Sequence, residues 1–473
     1  MTVGEPTKGR PDGAPRPVFL HTDVGNAQRL VAAHGADMRY VPRWKTWLIW
    51  DGRRWKRDET GEVERRAKQV VRAMIHEAAK MENKEKASAL AGWALKSEAS
   101  GRIKAMVDLA RSEPGVAISY TELDQRPRKL AVQNGTLDLT TGQLGPFARE
   151  DLLTKLVDVP YHPEATCDTW ERTLDVIFGG DAELISYVQR AIGYSLTGDT
   201  SEQCLHLCHG TGSNGKSTLL DVLAELSGEY GQQADFQTFL DRRHDSGPRN
   251  DVARLAGARL VRSSEVGDHK RLNEGLIKSL TGGDIITARF LYSEDFEFKP
   301  QFKLWLAANH KPVIRGTDYA IWRRIRLIPF EVTITAEQAD RELPKKLRGE
   351  MPGILAWAVE GCLRWQSDGL RPPDRVLAAT ADYKTESDVI AAFLEDCCEL
   401  DPAYTESGGK LYTAYKRWAE GNGEFVLTNT KFGRDLTDRG FNVKASMNGK
   451  MRYGLRLAHD TSTDLFDYRR RAA

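Results

Sequence analysis

Apolar residues along this 473-residue chain change their period several times, and each change predicts an element. A strand-like run over Cys204–His209 precedes the glycine-rich stretch GTGSNG. Leu219, Leu220, Leu223 and Leu226 then recur at helical spacing, which predicts strand, loop and helix in succession. The next β-prone run is ARLVRSSEVG, carrying Leu260 and Val261. Leu272, Leu276, Ile277 and Leu280 form a helical stripe that Gly282-Gly283 end. IITARFLY and FEFKPQFKLWLAA read as two strands with Ser293-Glu294-Asp295 at the turn between them.

The flanks carry their own patterns. RYVPRWKTWLIWDGRRWKRD reads as a hairpin turning at Asp51-Gly52. Residues 62–113 are alanine-rich, charged and helical in period. VQNGTLDLTTGQL reads as two short strands joined at Thr141-Gly142, and helices follow, broken at Gly179-Gly180. Residues 341–384 read as helices with a proline-rich link. Beyond them SDVIAAFLEDCCEL places Val389, Ile390, Phe393, Leu394 and Cys397 on one face, with Ser387 as its cap. Two more helices and a hairpin around Asn448-Gly449 complete a winged-helix pattern.

Together these predict an α/β protein organised as a tail (1–17), an N-terminal α+β domain (18–165), a helical segment (166–200), an α/β core (201–340), a helical linker (341–386) and a winged helix (387–473). The tail MTVGEPTKGRPDGAPRP is rich in Gly, Pro and charge and is expected to be disordered. It has no apolar core of a signal peptide, and no run of about 18 apolar residues suits a membrane span.

Composition changes this picture little. The chain is 40% hydrophobic and 29% charged, with a net charge of +1, so an argument for nucleic acid must come from local patches. Six cysteines in this length do not read as a disulfide scaffold, and a reducing cytoplasm fits. Cys204, His206 and Cys208 share one face of a strand. A metal site there competes with an ordinary buried strand, which is the reading favoured, because no second ligand pair follows at zinc spacing.

The chemistry centres on Gly210, Thr211, Gly212, Ser213, Asn214, Gly215, Lys216 and Ser217, which fit G-x-x-x-x-G-K-[ST], with Thr218 following. Glycines let backbone amides curl around phosphates, and the helix start adds positive potential. Lys216 is placed for the β- and γ-phosphates of ATP and Ser217 for Mg²⁺. Glu265, ending the next β-prone run, reads as general base or water-positioner and as an aid to the metal; alternatively it starts the following helix. Asn309, ending the strand after the hairpin, reads as a sensor of the γ-phosphate or as a turn-capping loop residue. Arg323 and Arg324 stand between a short helix and a β-prone run. An arginine so placed can enter a neighbouring subunit's site, where transition-state neutralisation is worth roughly 10³–10⁵ in rate; the alternative is a solvated basic turn.

These signatures fall within about 115 residues, and the set resembles the superfamily 3 helicases of small viruses, plasmids and phages. The wording RLVRSSEVGDHKRLNEGLIKSLTGGDIITARFLY…FKLWLAANHKP…GTDYAIWRRIRLIPF resembles more closely one branch, the phage and plasmid primase-helicases related to the poxvirus primase-helicase. The resemblance is specific over residues 200–331 and weaker outside them. It implies an AAA+-like module assembled as a hexameric ring around one DNA strand, with ATP between subunits and 3′ to 5′ movement. It also implies a DNA-tracking hairpin, here about Ile285–Phe298, with Arg289 and Tyr292 near its tip. Tyr292 is otherwise a packing residue, and Arg289 a partner of Glu294 or Asp295. Other branches carry Lys or His where this turn has Ser293-Glu294-Asp295. The segment around residues 166–200 would form the collar.

Four tryptophans, Trp44, Trp47, Trp50 and Trp55, interleave with basic residues near the start. They could stack on bases, but a small core of their own is the favoured reading. Lys431, Arg434 and Arg439 on the third C-terminal helix, and Lys450 and Arg452 on the wing, suit phosphates of duplex DNA, or else the unit docks protein. No closely spaced aspartate pair on a strand occurs in the first 165 residues, so the expected protein is a helicase without its own primase active site, working with a separate primase or other replication proteins.

The leading expectation is an ATP-driven replicative DNA helicase of a phage, prophage or plasmid, acting on single-stranded and forked DNA in the cytoplasm of a bacterial host. An ATP-switched origin-binding or helicase-loading protein is the second reading, and a small-molecule P-loop kinase the third.

Overall fold

The structure is a computed structural model that describes residues 19–241, 249–264, 270–290, 294–314, 319–422, 426–446 and 449–458. The expected tail therefore lies outside the described residues.

The N-terminal unit packs helices Asp23–His34, Glu62–Ala79, Lys84–Ser97 and Ser100–Ala110 against an antiparallel sheet of Met38–Val41, Thr46–Trp50 and Trp55–Arg57. Ala27, Leu30, Met38, Ile49, Val63, Val70, Ile103 and Met106 fill its core. Trp47 and Trp55 are buried and Trp50 half-buried, while Trp44 stays 36% exposed. The aromatic hairpin thus supplies core, with one ring left over. Asp51 sets its turn by accepting from the amides of Arg53 and Arg54.

Residues 18–165 do not share one core. The strands Lys129–Val132, Gly135–Asp138 and Gln143–Gly145 form a separate antiparallel sheet. The Thr141-Gly142 turn is where expected; a second turn at Gln133-Asn134 adds a strand the pattern did not separate. Leu130, Val132 and Leu137 join a core with helices Asp168–Phe178, Ala182–Leu196, Lys216–Ser227 and Met351–Asp368.

The stretch 341–386 is part of that core rather than a linker. Helix Met351–Asp368 buries Ile354, Leu355, Ala358, Val359 and Cys362. It crosses helix Ala182–Leu196 where each carries a glycine. A Cβ on Gly193 would stand 2.1 Å from the Cys362 nitrogen, and one on Gly361 would stand 2.2 Å from the Gln189 carbonyl oxygen. Only a residue without a side chain permits backbones this close.

The central sheet has five parallel strands in the order Ile325–Pro329, Leu205–His209, Lys303–Ala308, Leu260–Ser264, Gly231–Gln233. Parallel strands covered on both faces read as continuous apolar runs. Here Cys208, Trp305 and Ile328 face one core while Leu207, Leu306 and Leu327 face the other. The expected strand FEFKPQFKLWLAA splits in two. Phe296–Phe298 pairs with Ile286–Ala288 as a hairpin, and Lys303–Ala308 enters the sheet. Pro300, lacking an amide proton, lies in the gap between them.

Two buried cations tie the start of this sheet to its surroundings. The Arg259 guanidinium donates to the carbonyls of Leu196, Lys129 and Arg126 and lies over Tyr230. Lys303 Nζ donates to the carbonyls of Thr197 and Asp199. Both meet the C-terminal end of helix Ala182–Leu196, where the helix dipole favours positive charge.

The C-terminal unit runs helix Val389–Cys397, strand Cys398–Ser407, helices Gly408–Gly421 and Asn429–Asp438, then strands Val443–Ser446 and Gly449–Leu457. Phe393, Leu411, Tyr415, Phe432, Leu436 and Leu455 form its own core. Asp388, not Ser387, caps the first helix. Strand Cys398–Ser407 was not anticipated; it pairs with Gly449–Leu457. Asn448 lies outside the described residues. Among the described residues no helix is long and apolar enough to cross a membrane.

Candidate functional site

The loop Gly210–Gly215 joins strand Leu205–His209 to helix Lys216–Ser227 at the carboxyl end of the sheet, where open α/β sheets take their ligands. Gly212, Ser213 and Gly215 all have positive φ, at 113°, 47° and 84°. A Cβ on Gly215 would lie 2.4 Å from Ile177, so the loop is pressed against helix Asp168–Phe178. No side chain caps the helix at Gly215. Its first amides and its dipole are therefore available to an anion.

Lys216 is buried, and burial pulls its ammonium below the ordinary value. Its Nζ donates to the Gly210 carbonyl at 2.6 Å and to Asn214 Oδ1 at 3.0 Å. Asn214 Nδ2 in turn donates to the Phe330 carbonyl at 3.1 Å. The Ile334 amide donates to the Ser213 carbonyl at 2.7 Å. The loop is thereby stapled to the segment leaving strand Ile325–Pro329. Thr211, Ser213 and Ser217 are exposed and Thr218 is half-buried.

Asn309 follows strand Lys303–Ala308 directly and is exposed. Ala308 pairs in register with His209, and its carbonyl accepts from the Gly210 amide at 3.4 Å. Asn309 therefore stands beside the glycine loop, as the pattern implied. Ser264 pairs with Ala307 one strand further out; Glu265, which follows it, lies outside the described residues.

Arg323 and Arg324 stand at the opposite end of the sheet, before strand Ile325–Pro329, whose Ile325 pairs with Leu205. A strand of five residues separates them from their own loop, about 17 Å. Their environments differ. Arg324 is buried, its Nε donating to Thr281 Oγ1 at 3.1 Å and its Nη1 to the Ala320 carbonyl. Arg323 is exposed, with Nη2 donating to Gln203 Oε1 at 2.7 Å.

The hairpin Ile286–Ala288/Phe296–Phe298 forms where expected. Arg289 extends from it half-exposed, its Nε 3.6 Å from Asp295. Tyr292 lies outside the described residues. In the C-terminal unit Arg434 and Lys450 are exposed, and Lys431 is ion-paired to the buried Asp435. Two further basic residues bond within the unit. Arg452 is buried, donating to Thr437 Oγ1 and the Phe441 carbonyl, and Arg439 is ion-paired to Asp388. These bonds tie the unit's elements to one another.

Cys204, His206 and Cys208 are core residues. Burial pushes both thiols up to about 12 and holds the His206 imidazolium down to about 3. His206 stacks on Trp305 and meets the Tyr187 hydroxyl at 3.3 Å. No trio of His, Cys, Asp or Glu suited to a metal occurs among the described residues.

Fold and loop define a mixed α/β protein with a glycine-rich strand-to-helix turn on a parallel sheet. Comparison with known proteins narrows that class. Residues 27–179 match the family model described as "D5 N terminal like", and residues 208–324 match a family of unknown function, DUF5906. The chain is 28% identical over 321 residues to "Putative helicase L207/L206" of Acanthamoeba polyphaga mimivirus, covering 63% of this chain and 33% of that protein. It is 32% identical over 235 residues to "Putative helicase 022R" of Frog virus 3, covering 45% and 24%. It is 28% identical over 218 residues to "Putative primase C962R" of African swine fever virus, covering 43% and 22%. Over these stretches the chain is similar to proteins named as putative helicases and primases of large DNA viruses. It spans about a third or less of the length of these relatives. Among solved structures, the apo C-terminal region of NrS-1 is 13% identical with a TM-score of 0.48, covering 88% of this chain and 95% of that one.

Proposed function

We propose that this chain is an ATP-driven DNA helicase, a superfamily 3 motor with an AAA+-like core that works as a ring, hexameric by resemblance, on single-stranded and forked DNA. The observation that carries this reading is the separation of Arg323 from its own glycine loop. An exposed arginine at the far end of the sheet completes a phosphate site only in an adjacent copy.

Lys216 and the amides of the helix start hold the phosphates, and Ser217 is the hydroxyl for Mg²⁺. Glu265 and Asn309 position the attacking water and sense the γ-phosphate. The metal, when bound, neutralises charge between the outer phosphates. Strand order supports the assignment: the loop strand lies between the strand that ends at Asn309 and the strand led by the arginines. Arg289 and Tyr292 on the hairpin contact the tracked strand. The C-terminal unit is a winged helix whose Lys431, Arg434 and Lys450 meet duplex phosphates. A phage, prophage or plasmid setting in bacterial cytoplasm, with a separate primase, is part of the proposal; the relatives named above come from viruses of eukaryotes.

The test is Lys216→Ala. Purified wild type hydrolyses ATP faster with single-stranded DNA and opens a forked duplex, and the variant does neither. A variant that unwinds as well as wild type removes the site assignment. A second reading, an ATP-switched origin-binding or loading protein, draws on the separate core of the C-terminal unit. Origin footprinting without unwinding would favour it.

A further inference from the structure

Arg43, in the N-terminal unit, reaches across to the hairpin of the motor core. Its Nη2 donates to the Asp295 carbonyl at 2.6 Å, and its Nη1 lies 3.6 Å from Glu294 Oε2. Arg289 faces Asp295 from the hairpin's other strand. Two guanidinium groups from units 246 residues apart in sequence thus converge on two consecutive acids.

Arg43 continues into an aromatic surface. Trp44, the one exposed ring of the four tryptophans, has the Arg57 guanidinium 5.0 Å from its ring and Tyr120 6.2 Å away. Between Arg43 and Tyr120 lies an open cleft of about 400 Å³. A cation beside a stacking face is the pairing that single-stranded nucleic acid needs, one for the phosphodiester and one for the base.

We infer that Arg43 and Trp44 form a second site for single-stranded DNA, outside the motor core, and that Glu294 occupies its phosphate position in the DNA-free protein. The acid holds Arg43 by an exposed ion pair, which is weak enough for a phosphodiester to displace. The strand that displaces it frees the hairpin from the N-terminal unit, so DNA entry and release of the hairpin are one event. This inference rests on the helicase reading for the identity of the ligand.

The experiment measures binding of a fluorescent oligothymidylate across a salt series. Glu294→Gln tightens binding about two- to fivefold at low salt, the range of an exposed ion pair. Arg43→Ala weakens it and lowers the salt slope by about one. The gain from Glu294→Gln disappears in the Arg43→Ala background, because the two act on one site. Trp44→Ala weakens binding with the salt slope unchanged, since stacking releases no counterion. Glu297→Gln, a charge-matched control on the same hairpin, gives no such coupling to Arg43. A gain from Glu294→Gln that persists equally without Arg43, or no gain at all, overturns the inference. Wild type that fails to bind the oligonucleotide overturns the helicase reading itself, which keeps the two failures apart.

Discussion

At the scale of single residues, polar groups in this protein are defined by what holds them. Lys216 has two acceptors in its own loop, so the phosphate proposed above would draw it from Asn214 and the Gly210 carbonyl. His206 has the opposite setting: buried, stacked and lacking an acid nearby to favour its charged form. Its folded-state value of about 3 lies below the ordinary 6.5, so between those values the unfolded chain binds a proton that the folded chain does not. Its stabilising contribution is full above pH 6.5 and is lost as pH falls toward 3. By pH 5 this amounts to about 2 kcal/mol. Urea unfolding at pH 7 and pH 5 should therefore show a larger loss for wild type than for His206→Phe, by about that amount.

At the scale of elements, the crossing of Ala182–Leu196 with Met351–Asp368 has the least room to change. Gly361→Ala gains helix propensity of about 1 kcal/mol, but its Cβ would sit against the Gln189 carbonyl oxygen. Overpacking costs about 1–3 kcal/mol and more where backbone must yield. A lower melting temperature for Gly361→Ala is the expected outcome, against little change for Gly349→Ala, whose added Cβ meets nothing within 4 Å. This crossing also marks a limit of reading the sequence. Gly193 and Gly361 are visible in the sequence, but a helical stripe does not name its partner, so a core helix read as a linker. Strand Cys398–Ser407 was hidden for another reason. CELDPAYTES alternates Cys398 and Leu400 with Glu399 and Asp401 only briefly before Pro402 interrupts it, and pairing with Gly449–Leu457 makes it a strand. The glycine loop, the hairpin and the breaks at Gly179-Gly180 and Gly282-Gly283 were legible because local backbone chemistry dictates them. Adjacent Arg323 and Arg324 look alike in sequence; tertiary packing alone buries one and exposes the other.

For the whole molecule, that difference decides which arginine would serve a neighbour in the ring proposed above. Arg324→Ala should lower thermal stability, because it leaves Thr281 and the Ala320 carbonyl without their donor. Arg323→Ala should keep the melting temperature and lose ATP turnover in the assembled protein. Mixing Arg323→Ala subunits with Lys216→Ala subunits should restore part of that turnover, since intact loops then meet intact arginines at some seams. Mixed assemblies as inactive as either parent would place the arginine's role within one chain.

Both rims of the parallel sheet are guarded. Helix Asp374–Glu386 runs beside the outer strand Ile325–Pro329, and Thr380 Oγ1 accepts the Leu327 amide proton at 3.1 Å. The other rim, Gly231–Gln233, is three residues long. A foreign β-segment finds little backbone to zip onto at either margin. Copies of this protein can therefore crowd together at high local concentration without seeding fibrous aggregates from this sheet.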